Sequence, residues 1–289
     1  MRFLLTLLLF STMLFSASVK FEILGSGGPE LDARASTSYL LWIDGEAKLL
    51  VDMGSGAMLR FEESGAKLET LEATVLTHLH IDHSVDLPSF VKAGFFSSRS
   101  EPLEVIAPNA NEFFPSIGEF LNSLFGKSGA YRYMSDVLSP QSNSFQIIPY
   151  EIKSNKTITK KYKDFTLTLI SVHHGIVPAL ALRIDVGSKS IVISGDTNDK
   201  NKNLEQIAHK ADLFIAHHAV PEHAGEFAKD LHMTPSIIAN IAKKADVGKV
   251  VLTHRMNRTA KHEKESLMII KEIFKGEVIF AEDRMIIKL

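Results

Sequence analysis

Four side chains able to hold a metal ion, His78, His80, Asp82 and His83, fall within six consecutive residues of this sequence. Neutral imidazole is the usual zinc ligand, and a carboxylate is the usual oxygen donor beside it. One ion accepts only four or five donors, and chain geometry prevents six adjacent residues from offering four of them to one ion. The spacing therefore predicts two ions sharing one loop, each completed by residues from elsewhere in the chain. A single histidine would carry no such inference. Three in six residues, with Asp before the last and an apolar run in front, do.

That apolar run, Ala73 to Leu76, reads as a buried strand ending at Thr77. The same arrangement recurs. A strand from Thr166 to Val172 leads into His173-His174-Gly175, and Ser190 to Ser194 leads into Gly195-Asp196-Thr197. Leu213 to Ala216 ends at His217-His218, and Lys249 to Leu252 ends at Thr253-His254. Upstream, Val19 to Leu24 runs into the glycine loop Gly25-Ser26-Gly27-Gly28. The Asp44-Gly45 turn joins strands Tyr39–Ile43 and Lys48–Val51, and the second of these delivers Asp52. Helices are expected at Leu87–Phe96 and from Ala110, where Asn109 and Glu112 form a capping box ahead of Phe113, Phe114, Ile117, Phe120, Leu121, Leu124 and Phe125. Further helices are expected at Asn201–Lys210, at Pro235–Ala245 with Thr234 as N-cap, and at His262–Phe274. The lysine-rich stretch Glu151–Lys163 reads as a solvated hairpin. Each half of the chain supplies strands and then ligands, which predicts two sheets facing one another. The fold class is α/β, an αββα sandwich of two mixed β-sheets with helices on the outer faces and metals at the edge between the sheets.

The chain has 289 residues, 45% of them hydrophobic, enough for one large core. A formal net charge of −2 provides no global positive field for nucleic acid or anionic membrane. There is no cysteine, so a metal site must be built from histidine and carboxylates. Residues Met1–Ser18 combine Arg2, the apolar run Phe3–Phe10 and small residues at Ser16-Ala17-Ser18. This reads as a secretory signal peptide, too short and interrupted to span a membrane, followed by one domain over residues 19–289. Its removal takes away one positive charge, Arg2, and leaves a net −3. No stable membrane insertion follows, and the expected location is periplasmic or secreted.

The His-x-His-x-Asp-His pattern, with the later His, Asp and His in the same order, resembles the metallo-β-lactamase-fold hydrolases. His174-Gly175-Ile176-Val177-Pro178 is similar to the matching segment of the ribonuclease Z-like and arylsulfatase/phosphodiesterase-like branch. The resemblance implies one metal held by His78, His80 and His174, and a second held by Asp82, His83 and His254. Asp196 and a water or hydroxide would bridge them. It implies that Asp52 orients the histidine loop without binding metal, and that Asp82 acts in catalysis as well as ligation. His232, in Leu231-His232-Met233-Thr234, is the implied general acid. Zinc is the first choice, with manganese or iron able to substitute. His80 stands where the di-iron oxidoreductase branch has Glu, which argues against redox chemistry. The family often has His-Glu-Ala where this chain has His217-His218-Ala219, so the supporting Glu of the acid is missing. The roles of His173, His217 and His218 stay open.

The leading expectation is an exported dinuclear hydrolase that uses the bridging hydroxide on a small phosphodiester or aryl sulfate ester. A lactonase or other carboxylic-ester hydrolase, and a metal-binding protein without turnover, are the alternatives. The negative charge, the signal peptide and the lack of a basic Gly/Pro-rich arm argue against transfer RNA as a partner. N-terminal sequencing of protein from the native host is expected to start near Val19; a retained Met1 would contradict cleavage.

Overall fold

The computed structural model describes residues 17–142, 144–153 and 156–289. The expected signal peptide lies outside them except for Ala17 and Ser18. No helix among the described residues is long and apolar enough to cross a membrane.

The chain lays down β1 (Val19–Gly25), β2 (Ser38–Ile43), β3 (Glu46–Val51), β4 (Ala73–Val75), β5 (Leu103–Pro108) and β6 (Ile147–Ile152) in a first sheet. It then forms β7 (Ile158–Lys161), β8 (Thr166–His174), β9 (Val177–Val186), β10 (Lys189–Ile193), β11 (Leu213–His217), β12 (Lys249–Thr253) and β13 (Glu277–Phe280) in a second. The last strand, β14 (Met285–Lys288), returns to the first sheet, whose order is β14-β1-β2-β3-β4-β5-β6. The second runs β13-β12-β11-β10-β9-β8-β7. Each sheet is antiparallel at one side and parallel at the other. The expected αββα sandwich of two mixed sheets is the fold observed.

Three apolar layers account for it. Phe21, Leu41, Leu49 and Ile106 of the first sheet meet Leu167, Leu169, Leu182 and Ile215 of the second. The alternate residues, such as Leu40, Leu50 and Val105, pack under Phe61, Phe90 and Leu121 of the outer helices. Phe214 and Val250 do the same under Ile238, Ala242 and Ile270. With both faces covered, central strands carry unbroken apolar runs such as Leu49-Leu50-Val51.

Local differences from the sequence reading have physical causes. No helix starts at Ala110: Asn111 accepts hydrogen bonds from the Phe113 and Phe114 amides in a turn. The helix is Ile117–Phe125, opened by a Ser116–Glu119 capping box. The two strands that overlap Glu151–Lys163 belong to different sheets and form no hairpin, because β6 pairs with β5 while β7 pairs with β8. Asn203–Ile207 is a shorter helix than expected. Thr234 does sit at an N-cap, but its hydroxyl meets Ser236 Oγ, and Glu222 accepts from the Ser236 amide in its place.

The parallel strands bring the chemistry together. Strands β10, β11 and β12 are parallel, so Asp196, His217 and His254 emerge at one edge. Strands β3 and β4 are parallel, so Asp52 and Thr77 emerge together on the facing sheet. The β8–β9 hairpin is longer than expected and carries His174 beside its two-residue tip, Gly175-Ile176. The Leu180 amide donates to Thr77 O at 2.8 Å and ties that hairpin to the histidine loop.

Gly195 sets the turn into Asp196. Its φ is 56°, and an added Cβ would stand 2.4 Å from Leu180 O. Gly195→Ala is expected to lower Tm by roughly 5 °C or more, from strain of about 1–3 kcal/mol plus the clash. An unchanged melting curve would show that the turn tolerates a side chain.

Candidate metal centre

Strand ends and the short helix Ile81–Ser84 deliver seven donors to one pocket, all of them buried except the half-buried His80. Asp196 Oδ2 is its centre: it lies 3.8 Å from His78 Nε2, 3.7 Å from His174 Nε2, 3.7 Å from His83 Nε2 and 3.5 Å from His254 Nε2. His80 Nδ1 is 2.9 Å from His78 Nε2. Asp82 Oδ2 is 3.2 Å from His254 Nε2 and 3.6 Å from His83 Nε2. Four donors bound at 2.0–2.1 Å around a tetrahedral ion stand roughly 3.3 Å apart. The observed spacings bracket that value in two groups that share one carboxylate oxygen.

The donors also fit a cation by what they lack. The Nε2 atoms of His83, His174 and His254 are buried and have no hydrogen-bond partner among the described residues. Unpaired buried nitrogens are costly, and three converging on one carboxylate describe a site shaped for ions. His78, His80, His174 and Asp196 form one group able to hold an ion. His83, Asp196 and His254 belong to a second, with His217 close enough to count as a fourth.

Residues 31–254 match the description of the metallo-β-lactamase superfamily. The chain belongs to that superfamily. It is 28% identical over 254 residues to ribonuclease Z of Mycobacterium sp. (strain KMS), covering 82% of this chain and 84% of the relative. It is 25% identical to ribonuclease Z of Methanosarcina acetivorans, over 92% of this chain and 97% of that one. Its fold is similar to the metallo-β-lactamase fold protein YhfI from Bacillus subtilis, with a TM-score of 0.74, 21% identity and coverage of 95% and 100%. It is also similar to human tRNase Z, short form, with a TM-score of 0.69, 22% identity and coverage of 93% and 98%.

In this metallo-β-lactamase superfamily hydrolase, the surrounding groups set Asp82 and His217 apart. Both nitrogens of His217 are occupied. Nδ1 meets Asp196 Oδ1 at 2.7 Å, and Nε2 meets Tyr39 Oη at 2.8 Å. His217 therefore holds Asp196 in place, while Asp82 keeps a free oxygen against His83 and His254. Tyr39 is buried, and burial pushes its hydroxyl well above the usual range, so it stays protonated and can donate to His217 Nε2. Nothing in the sequence marks Tyr39 as part of the site; it lies in an apolar strand 178 residues from His217.

Asp52 accepts from the Thr77 amide at 2.7 Å and from the Thr77 hydroxyl at 2.8 Å, and pairs with His83 Nδ1 at 2.8 Å. It touches the histidine loop and none of the nitrogens facing Asp196. Asp52 and His254 hold φ values of 60° and 54°, a left-handed geometry that residues other than glycine adopt uncommonly. His174 Nδ1 is fixed by Leu231 O at 2.8 Å. The glycine loop closes against the second group: a Cβ on Gly28 would stand 2.8 Å from His254 Cε1.

His232 ends the helix Glu226–Leu231 and is buried, with Nδ1 3.9 Å from Asp196 Oδ2. His218, at the position where the resemblance implied a supporting Glu, points instead at Ser266 Oγ, 3.0 Å away, beside Phe280. It gives His232 no support. His173 faces away from the donors, on the opposite side of β8 from His174.

Burial would lower His83, but Asp52, Asp82 and Asp196 together raise it to about 9. Burial would raise Asp196, but His254, His232 and His217 hold it well below the usual carboxylate range. In the metal-free protein the charged His83 therefore stabilises the fold fully below its unfolded pKa near 6.5, and that contribution is lost as pH rises through about 9. A metal must displace this proton, so uptake should release protons and tighten between pH 6 and 9. Metal analysis of protein purified without chelator should give close to two equivalents, and Asp196→Ala should lose at least one. A single equivalent, unaffected by Asp196→Ala, would rule out the shared carboxylate.

Proposed function

We propose that this chain hydrolyses phosphodiester bonds, with His78, His80 and His174 holding one ion, Asp82, His83 and His254 a second, and Asp196 joining them. The observation that carries the reading is Asp196 Oδ2 lying between two groups of buried, inward-facing imidazoles. When bound, two divalent ions lower the pKa of water and supply positive charge to the developing transition state. Zinc suits an all-histidine and carboxylate set best, with manganese or iron as substitutes. The phosphodiester class is supported by the relatives named ribonuclease Z.

The chain's own residues do the rest. Asp196, steadied by His217 and Tyr39, keeps the two donor groups in register. Asp82 faces the pocket and accepts a proton or hydrogen bond from the attacking water. His232 reaches the same space with a nitrogen that has no partner among the described residues. Burial lowers His232 to about 3, so it is neutral at rest. A bound phosphodiester anion beside the ring favours the imidazolium, which then delivers a proton to the leaving oxygen.

The preferred substrate is a small phosphodiester, supported by the net charge of −2. An RNA is the second reading, supported by the same ribonuclease Z relatives. Export before Val19 is part of the proposal, on the strength of Met1–Ser18 alone. Parallel assays on a small phosphodiester, a precursor tRNA, an aryl sulfate and an acyl lactone test the class. Turnover of the lactone or the sulfate alone would overturn the proposal.

His232→Ala should keep its metals. It should slow alkyl phosphodiesters by about 10²–10⁴-fold and nitrophenyl esters far less, because nitrophenolate departs without a proton. Equal slowing of both, or loss of metal, would give His232 another role.

A further inference from the structure

The row of side chains that builds the inter-sheet core changes character at its end. Along β8, alternate residues Leu167 and Leu169 face the first sheet and are buried in that core. The next two in the row are Ser171 and His173, both only partly buried. Opposite them on β9, the register places Leu182 against Leu169, Leu180 against Ser171 and Pro178 against His173. On the facing sheet, Pro108 follows Ile106 on the same side of β5. Beyond the last leucines the two sheets thus part around a cleft.

That cleft has a volume of about 290 Å³, and its walls include Pro108, Asn111, Ser171, His173, Pro178 and Asn201. The hairpin tip His174-Gly175-Ile176 borders it, so it adjoins the metal centre. Volumes near 300 Å³ are the small end of ligand pockets, suited to one ring system and too small for a polymer. No Lys, Arg, Asp or Glu is among its described lining residues. Its amides are already engaged: Asn111 Nδ2 donates to Ile176 O at 2.7 Å, and Asn201 Nδ2 donates to Ser171 O at 3.2 Å. These bonds brace the walls. His173 Nδ1, in contrast, is buried without a partner among the described residues. Ser171, two positions along the same strand face, accepts from Asn201 and Asn203 through its backbone O, with no hydrogen bond from its hydroxyl among the described residues.

We propose that this cleft is a subsite for an uncharged, hydrogen-bonding ring on the retained side of the ester, read by His173 and Ser171 between the walls formed by Pro108 and Pro178. The inference rests on the phosphodiesterase reading and narrows it to esters of a sugar or nucleoside. A charged group would enter without a counter-ion, and a purely apolar chain would give the cleft's imidazole and hydroxyl no partner. Two strand positions separate the two side chains by roughly 7 Å, about the span of a furanose with its substituents or of a nucleobase edge to its sugar.

Three 4-nitrophenyl phosphodiesters with one leaving group test this on the metal-loaded protein. The retained alcohol is methanol, methyl ribofuranoside through O5, or thymidine through O5′. The wild type should prefer a ring-bearing ester over the methyl ester in kcat/KM. Ser171→Ala and His173→Ala should each reduce that preference about 3- to 10-fold, through KM, at unchanged metal content. A preference shared by the riboside and thymidine esters assigns the subsite to a sugar; one confined to thymidine assigns it to a base. Equal kcat/KM for all three esters, or a preference that survives both substitutions, overturns the proposal. If the wild type turns over none of them, the small-phosphodiester reading fails, and the cleft is judged by binding alone. Saturation-transfer NMR with uridine and methyl riboside should then show contact that both substitutions weaken; no contact with either probe overturns the subsite.

Discussion

Asp196 carries the arrangement of the whole edge of this molecule. One of its oxygens lies within 3.5–3.8 Å of four imidazole nitrogens, and the other is held at 2.7 Å by His217. A buried carboxylate is tolerable only with opposite charge or strong hydrogen bonds around it. The imidazoles are tolerable there only if something positive lies between them and the carboxylate, because several of their nitrogens find no other partner among the described residues. The polar groups thus define two cation-sized spaces by mutual need.

Holding that constellation demands rigidity, and the fold supplies it from both sheets. Asp52 grips Thr77 and His83, Tyr39 grips His217, and Leu180 binds the histidine loop across the sandwich. Asp52 and His254 adopt left-handed backbone, and Gly28 lets the glycine loop lie against the His254 ring. Strain of this kind persists where packing overdetermines the backbone, here under three apolar layers. Substitution of a supporting residue should therefore be felt first as loosened metal and later as lost fold.

The same sandwich also explains why polar chemistry gathers where it does. Leucines fill the space between the sheets until the strands end, and beyond them the facing positions become histidine, serine, aspartate and proline. His173 and His174 occupy opposite faces of one strand, so adjacent residues serve two neighbouring spaces. One is the ion pocket, and the other is the uncharged cleft.

Ligand density and element identity were legible in the chain itself. His78, His80, Asp82 and His83 within six residues specify metal chemistry locally, and β-branched and leucine-rich runs ending in His or Asp locate the strands. Period and propensity act over a few residues, so such features survive without knowledge of the fold. The same locality misplaced one helix start, because Asn109–Glu112 and Ser116–Glu119 both carry cap signals and only packing of Ile117, Leu121 and Phe125 chooses between them. It also made a hairpin of Glu151–Lys163, since charge along a segment says nothing about which sheet its two ends join. The parts decided only in three dimensions are relations across long separations: Tyr39 on His217, Asp82 against His254, His173 and Pro108 on the walls of one cleft. Those relations depend on sheet order and on register to the single residue, and a one-residue slip would send each side chain to the opposite face.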